Sequence, residues 1–411
     1  MNVLILSAST GGGHLRASAA LKSYILEHEP GARVEIVDTL AYISPMLNKT
    51  ITEGYVTLAT KTPGLYGTFY KSSNKEKGLG AFVVAFNKMF SKKLLPLLDE
   101  MQPDVIVSTH AFVTEMVSDL KGQGVVNIPL ICLLTDYAPH QTWIAENVDH
   151  YVVSNEGMID VMVEMGAPRE RIHPYGIPID HAFYTKKDRD AILDEMNLKP
   201  DIPTLLIMAG SFGVTNILRI YNNIVKIPEE FQIIVITGRN QRLYDAFERV
   251  IQKSLQEKPQ KVIKVTATST KKTTQAKPVK QKPVKEKPRK TTRLLYFTTE
   301  VDKYMQVADL IITKPGGLTV SEALACNLPM AIFDAIPGQE EENAEFLIDN
   351  NMAVKIEKGA TCAETIRELL QNHEKLEAMK QSCQTFDKSR SGENIVNLIA
   401  QLIAEQRKAK E

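Results

Sequence analysis

Residues 310–345 hold the pattern that most narrows the fold. The apolar run Leu310-Ile311-Ile312-Thr313 leads into Lys314-Pro315-Gly316-Gly317, and a helical pattern follows over 319–326. A short apolar strand, a glycine pair and a helix in direct succession form the turn of a parallel α/β unit. Glycine lets a ligand come close to the backbone there, and the next helix offers free N–H groups and the positive end of its dipole. Lys314, Gly316, Gly317 and Thr319 therefore read as an anion cradle. Glu322, inside that helix, presents a carboxylate suited to ribose hydroxyls. The layout repeats after the strand-like run 330–334 with Pro337-Gly338-Gln339-Glu340-Glu341-Glu342-Asn343-Ala344. Gln339, Glu340 and Asn343 are then polar groups at a strand's carboxyl end, suited to the hydroxyls of a sugar.

The amino end carries the same theme. Asn2-Val3-Leu4-Ile5-Leu6 is a short apolar strand, followed by Gly11-Gly12-Gly13-His14 and a helical run over 15–27. This is neither GxGxxG with an acidic residue about 20 positions on nor a Walker A, since no Lys-Ser/Thr follows the glycines. His14 becomes a titratable group at the mouth of a cleft. Further strands are expected at 34–37, 105–107, 130–134, 151–153 and 171–174. A second set is expected at 204–208, 232–236, 294–297, 310–313, 330–333 and 353–356. In a doubly wound sheet, ligands bind outside the strands' carboxyl ends. That rule selects Thr109-His110, Asp136 and His140 in the first half. In the second half it selects Gly210, Ser211, Phe212, Gly213 and Arg239, besides the two blocks above. Histidines and an acid thus face glycine-rich loops: one half can activate an acceptor and the other can hold a donor.

These motifs resemble those of a known family. Gly11-Gly12-Gly13-His14 with Ala17-Ser18-Ala19, Thr135-Asp136-Tyr137 with His140 and Trp143, Gly210-Ser211-Phe212-Gly213, and the blocks at 314–323 and 337–344 resemble the monogalactosyldiacylglycerol synthase and processive diacylglycerol glucosyltransferase family, in glycosyltransferase family 28. The likeness runs over nearly the whole chain in the family's order. It implies the GT-B fold, an α/β architecture of two facing Rossmann-like domains with the cleft between them. It implies inverting transfer of a hexose, glucose by analogy with bacterial relatives, from a UDP-sugar to the hydroxyl of 1,2-diacylglycerol. Carried over residue by residue, Glu322 holds the ribose, Gly210–Gly213 and the Gly316-Gly317 turn lie against the diphosphate, and Gln339 and Glu340 orient the sugar. Diacylglycerol meets the first domain, where His14 or Asp136 deprotonates or orients its hydroxyl beside His140. No cofactor is required on this reading, because no Asp-x-Asp pair is placed for a metal; Mg²⁺ is at most accessory. The alternatives are transfer to an undecaprenyl-type lipid-linked cell-wall precursor, a UDP-sugar epimerase of the same fold, and a non-catalytic UDP-sugar sensor.

The expected domains are 1–185, facing acceptor and membrane; 186–390, binding the UDP-sugar; and a final helix in 391–411 that crosses back. A zero net charge conceals a division. Residues 253–293 contain fourteen Lys and Arg against two Glu, so a segment of +12 rides on a body of −12. Its near-repeats Lys277-Pro278-Val279-Lys280, Lys282-Pro283-Val284-Lys285 and Lys287-Pro288-Arg289-Lys290 cannot form a core, so 252–293 reads as a disordered insert. Aromatic residues do not interleave the lysines, which argues against nucleic acid. Two readings of the insert stay open: a passive, solvated excursion, or an electrostatic tether to an anionic membrane surface. Over 55–98 aromatic residues, Tyr66 and Tyr70 among them, alternate with lysines, and Phe82, Phe86 and Phe90 share a helical face, so the stretch, with Trp143, suits an acceptor at a bilayer interface. No apolar run approaches the roughly 20 residues of a membrane span. The four cysteines are scattered, which suits the cytosol, and the enzyme is expected as a peripheral protein on the cytoplasmic membrane face.

Overall fold

The computed structural model describes residues 1–9, 12–46, 54, 62, 64–68, 70, 90–208, 216–256, 290–357 and 359–409. Among them are two parallel sheets of six strands each. The first comprises β1 (Asn2–Ser7), β2 (Arg33–Asp38), β3 (Val105–Ser108), β4 (Leu130–Leu133), β5 (His150–Val152) and β6 (Ile172–His173), in the order β2-β1-β3-β4-β5-β6. The second comprises β7 (Thr204–Met208), β8 (Gln232–Ile236), β9 (Thr292–Leu295), β10 (Leu310–Thr313), β11 (Met330–Ile332) and β12 (Ala353–Lys355), in the order β12-β11-β10-β7-β8-β9. Strands β3, β4, β7, β8 and β10 are buried along their whole length. That is why they read as continuous apolar runs: helices cover both faces of a parallel sheet, so no polar alternation survives.

The edge strand differs from the sequence expectation. β9 pairs Thr292–Leu295 with Ile233–Ile236 of β8 and stops where β8 stops. Thr292 and Arg293 therefore belong to the sheet rather than to the basic insert, and Tyr296 and Phe297 stand beyond the ladder, partly exposed. At the other end, residues 252–256 close the helix Gln241–Gln256 and so are not disordered, while 257–289 lie outside the described residues.

Six helices matter for the site: α1 (Gly12–His28) after β1, α2 (Ala111–Gly122) after β3, α3 (Val301–Val307), α4 (Gly317–Ala325) after β10, α5 (Gln339–Asp349) after β11, and α6 (Ser391–Lys408) at the end of the chain. α6 returns to the first sheet. Its Ile395, Leu398, Ile399 and Leu402 recur at helical spacing and join a core with Val3, Ile5, Leu21 and Val105. Gly392 is required at the start of α6, because a β-carbon there would meet the Tyr24 ring at 2.3 Å. The chain leaves the first sheet after β6, and the helix Arg189–Glu195 already packs Ile192 and Leu193 in the core of the second. One apolar cluster joins the two halves, with Ala17, Tyr137 and Ile177 from the first against Leu318, Val320 and Ala344 from the second. No helix among the described residues is long and apolar enough to cross a membrane.

Candidate active site

Strand order reverses between β1 and β3 in the first sheet and between β7 and β10 in the second. The carboxyl ends of those strands form the crevices where such sheets hold ligands. In the first crevice, the β1–α1 loop presents His14 and the β3–α2 loop presents His110, their rings 5.0 Å apart edge to face. Thr135, just after β4, brings its hydroxyl within 3.0 Å of His14 Nδ1. Burial pulls the His14 imidazole down to about 4, a backbone hydrogen bond with Thr109 opposing it, so the ring is neutral at physiological pH. His110 is buried and held well below the usual histidine range by desolvation and by its neighbour His14; its Nδ1 has no hydrogen-bond partner among the described residues. Asp136 behaves oppositely. Desolvation pushes its carboxyl up to about 6, while a 3.2 Å hydrogen bond from Asn343 Nδ2 pulls the other way and Glu340 and Glu342 add to the rise.

The second crevice holds the donor-side candidates. Glu322 on α4 is 3% exposed. Its Oε1 lies 3.2 Å from Arg16 Nη1, reaching over from α1, while its Oε2 has no hydrogen-bond partner among the described residues. Desolvation raises this carboxyl to about 7 despite the Arg16 charge. Lys314, after β10, lies 3.7 Å from Glu340 Oε2 at the start of α5, so the two sequence blocks converge on one place. Burial raises Glu340, opposed first by Lys314. Gly316 starts α4 with open space where a side chain would be, and Thr319 sits half-buried one turn in. Gln339 opens α5. Gly210, Ser211, Phe212 and Gly213 lie outside the described residues.

Several expectations change on contact with the structure. Asn343 is wholly buried, and its amide is consumed by the first domain and its own loop. It accepts from the Tyr137 N–H at 2.7 Å and donates to Asp136 Oδ1 and to the Pro315 carbonyl at 3.0 Å. It is a clasp between domains rather than a sugar ligand. Gly317 has the same character: a β-carbon there would lie 1.9 Å from the Thr135 carbonyl oxygen, so the close approach is protein to protein. His140 has no lone pair for a substrate proton. Its Nδ1 accepts from the Thr142 N–H at 3.2 Å, and its Nε2 donates to the Tyr70 carbonyl at 3.1 Å. Trp143 is buried in the first domain's core, 6.5 Å from the His14 ring, and not on an interfacial surface. Phe90 packs against that same core under the Lys93 ammonium, whereas Phe82 and Phe86 lie outside the described residues. Arg239 is exposed and stacks on Phe297 at 4.5 Å.

Sequence reasoning missed three groups. Arg16 carries no local signal, because its partner lies about three hundred positions away. Tyr66 and Tyr70 belong to the aromatic stretch read as membrane-facing, yet they cross to the donor loop. Tyr70 donates to Glu342 Oε2 at 3.0 Å and Tyr66 to Gln339 Oε1 at 3.4 Å. Gly338 accommodates this with a φ of +97°, and a β-carbon there would strike the Tyr70 ring at 2.6 Å. Phe297, 48% exposed beyond β9, is a flat apolar platform at a strand's carboxyl end. A cavity of about 880 Å³ lies elsewhere, around Pro203, Asp309 and Pro329 at the strands' amino ends. The carboxyl-end crevices carry the paired titratable groups and are the better candidate site.

Two facing Rossmann-like sheets with a shared crevice define the GT-B class of nucleotide-sugar enzymes. The same arrangement occurs in MurG of Acinetobacter baumannii (TM-score 0.56, 15% identity, 97% of this chain and 99% of that one) and in Anabaena HepE in complex with UDP (0.52, 14%, 100% of both). It also occurs in the UDP-GlcNAc 2-epimerase of Neisseria meningitidis (0.56, 11%, 98% and 100%). At these identities the likeness is one of fold. Within the class, residues 14–179 match the monogalactosyldiacylglycerol synthase model and residues 232–396 the glycosyltransferase family 28 carboxyl-terminal domain. The processive diacylglycerol beta-glucosyltransferase of Bacillus cytotoxicus is 30% identical over 402 residues, 97% of this chain and 92% of that one. The Bacillus subtilis protein of the same name is 28% identical over 414 residues, 99% and 98%. The chain belongs to this monogalactosyldiacylglycerol synthase and processive diacylglycerol glucosyltransferase family.

Proposed function

We propose that the protein transfers glucose from UDP-glucose to the free hydroxyl of 1,2-diacylglycerol, inverting the anomeric carbon to give a β-glucosyl diacylglycerol. The observation that carries the reading is the pairing of a proton-handling crevice at His14 and Asp136 with a second crevice holding a half-satisfied buried Glu322. Near-full-length similarity to proteins named diacylglycerol beta-glucosyltransferases supports the acceptor and favours glucose over galactose.

The donor's ribose hydroxyls donate to Glu322, its uracil lies on the Phe297 platform, and its diphosphate meets the α4 amino terminus and Lys314. The acceptor oxygen attacks the anomeric carbon from the face opposite the diphosphate. Its proton passes to the ring nitrogen of neutral His14 that carries the lone pair. The bond from anomeric carbon to diphosphate oxygen breaks, and UDP leaves with the electron pair. Ionised Asp136, next in the chain to Thr135, stabilises the imidazolium that forms. The basic insert, opposite in charge to the acidic remainder of the chain, draws the enzyme to anionic lipid, each basic residue near the surface contributing up to about 1 kcal/mol.

The test is to incubate the pure full chain with labelled UDP-glucose or UDP-galactose and diacylglycerol in neutral or anionic vesicles, with and without EDTA. Glucosyl diacylglycerol, formed faster on anionic vesicles and undiminished by EDTA, is the expected product. Product only from a lipid-linked precursor, or none from any acceptor, would defeat the proposal.

A pH dependence follows from the site. Burial makes the Asp136 carboxyl a weaker acid, with its pKa raised to about 6, so its carboxylate is present above about 6 and lost below. His14 is neutral on both sides of that value. Measured with saturating UDP-glucose over roughly pH 5 to 8, so that the ionisation of Glu322 in donor binding drops out, kcat should rise through a limb near 6. Asp136→Asn should lower activity and flatten the limb. A limb that persists in Asp136→Asn assigns it to another group.

A further inference from the structure

We propose that Arg16 is a positioning residue of the donor site: reaching across the cleft from α1, it keeps Glu322 a carboxylate and leaves Oε2 open to the donor's ribose. The inference rests on the assignment of Glu322 to the ribose. It adds that the first domain, and not the donor domain alone, sets the state of that carboxylate.

The geometry is unusual for an ion pair. Glu322 is buried, whereas the Arg16 side chain is 47% exposed, so only one partner has been taken from water. The guanidinium touches Oε1 alone, at 3.2 Å, and Oε2 is buried without a hydrogen bond among the described residues. A pair built only for stability would satisfy both oxygens, since an unpaired buried acceptor is costly. A half-satisfied carboxylate beside a strand-end crevice is set up to accept hydroxyl donors from a ligand.

Without Arg16 the carboxylate would be hard to keep. The charged groups acting on Glu322 come from three elements. Arg16 on α1 favours ionisation; Asp180, in the link after β6, and Asp302, on α3, disfavour it. Lys187 lies 2.7 Å from Asp302 and is committed there, and Cys326, one turn along from Glu322, is itself raised by burial and by Glu322. Arg16 is therefore the one cation among these groups that acts on Glu322 directly. With it, desolvation still lifts Glu322 to about 7. Removing it shifts the value further upward, so at neutral pH the group is protonated and loses its charge-assisted acceptor strength. Raising the pH restores the carboxylate.

The sign of that dependence separates this role from a structural one. Calorimetric titration of UDP into the full chain and into Arg16→Met, Arg16→Lys and Glu322→Gln, at about pH 6, 7 and 9, reads it directly. Dividing each variant's affinity by the parent's at the same pH cancels the ionisation of UDP. Arg16→Met should bind UDP about tenfold more weakly than the parent at pH 7 and regain most of the loss at alkaline pH. Arg16→Lys should restore parental binding, and Glu322→Gln should be weak at every pH. If Glu322→Gln is weak but Arg16→Met matches the parent, or loses affinity equally at all three pH values, the Arg16 role is wrong and the ribose assignment stands. If Glu322→Gln binds UDP like the parent, the ribose assignment falls and the Arg16 role with it.

Discussion

His14→Ala is expected to cut turnover by about 10²-fold or more while UDP affinity stays near that of the parent. The ring sits at the amino end of α1, in the crevice where the first sheet's strand order reverses, with Thr135 fixing one nitrogen. The donor candidates Glu322, Lys314 and Glu340 all belong to the other sheet, so losing the imidazole removes none of their contacts. Burial sets the value of about 4 in the unliganded protein. The diphosphate adds negative charge to the cleft, which raises the imidazole's basicity when the proton must be taken. Single-turnover rates with saturating UDP-glucose, beside calorimetric UDP binding, test the assignment. Near-parental turnover in His14→Ala would move proton transfer to Asp136, whose acidity already lies close to neutrality.

How much of this was legible in the sequence divides along one line. Features made by neighbours in the chain could be read: the buried strands, because a covered parallel strand is apolar throughout, and the strand–glycine–helix turns that locate both crevices. The stretch over 395–402 showed the face of α6, because an apolar stripe at helical spacing must be covered by something. Features made by distant segments could not be read. Asn343 stands among acids in a polar helix start and looks free for a ligand, yet its amide is used up by Tyr137 and Asp136, some two hundred positions earlier. The position of His140 beside Asp136 and Trp143 suggested chemistry, but its ring caps the short turn that holds Trp143 and clasps Tyr70. Arg16 had no visible partner. Tyr66 and Tyr70 were read by composition as interfacial, and only the three-dimensional path shows them against Gly338. The site is built at a domain junction, and junction contacts leave little periodic trace in either participant.

The glycine pair offers a direct contest between a ligand role and a junction role. Gly317→Ala is expected to reduce turnover by about 10²-fold while both domains remain folded, because a displacement of about 1 Å in a reacting site can cost that much. Alanine suits the first position of a helix, so α4 itself loses nothing. The added methyl would lie 1.9 Å from the Thr135 carbonyl oxygen, 3.0 Å from its carbon and 3.4 Å from Asp136 Oδ1. Backbone cannot yield as a side-chain tip does, so the 135–136 loop and α4 must part. That loop carries both the hydroxyl that orients His14 and the Asp136 carboxylate, so parting them misplaces the proton-handling groups relative to the donor. Gly316→Ala is the matched control. Its β-carbon would meet nothing within 4 Å, and its φ of −72° and ψ of 136° are open to any residue. Where the junction dominates, Gly316→Ala stays near parental turnover and Gly317→Ala fails, with calorimetric UDP binding to either variant changed far less than turnover. The reverse pattern, an inactive Gly316→Ala beside an active Gly317→Ala, would show that the glycines serve diphosphate approach and that the Thr135 contact is incidental.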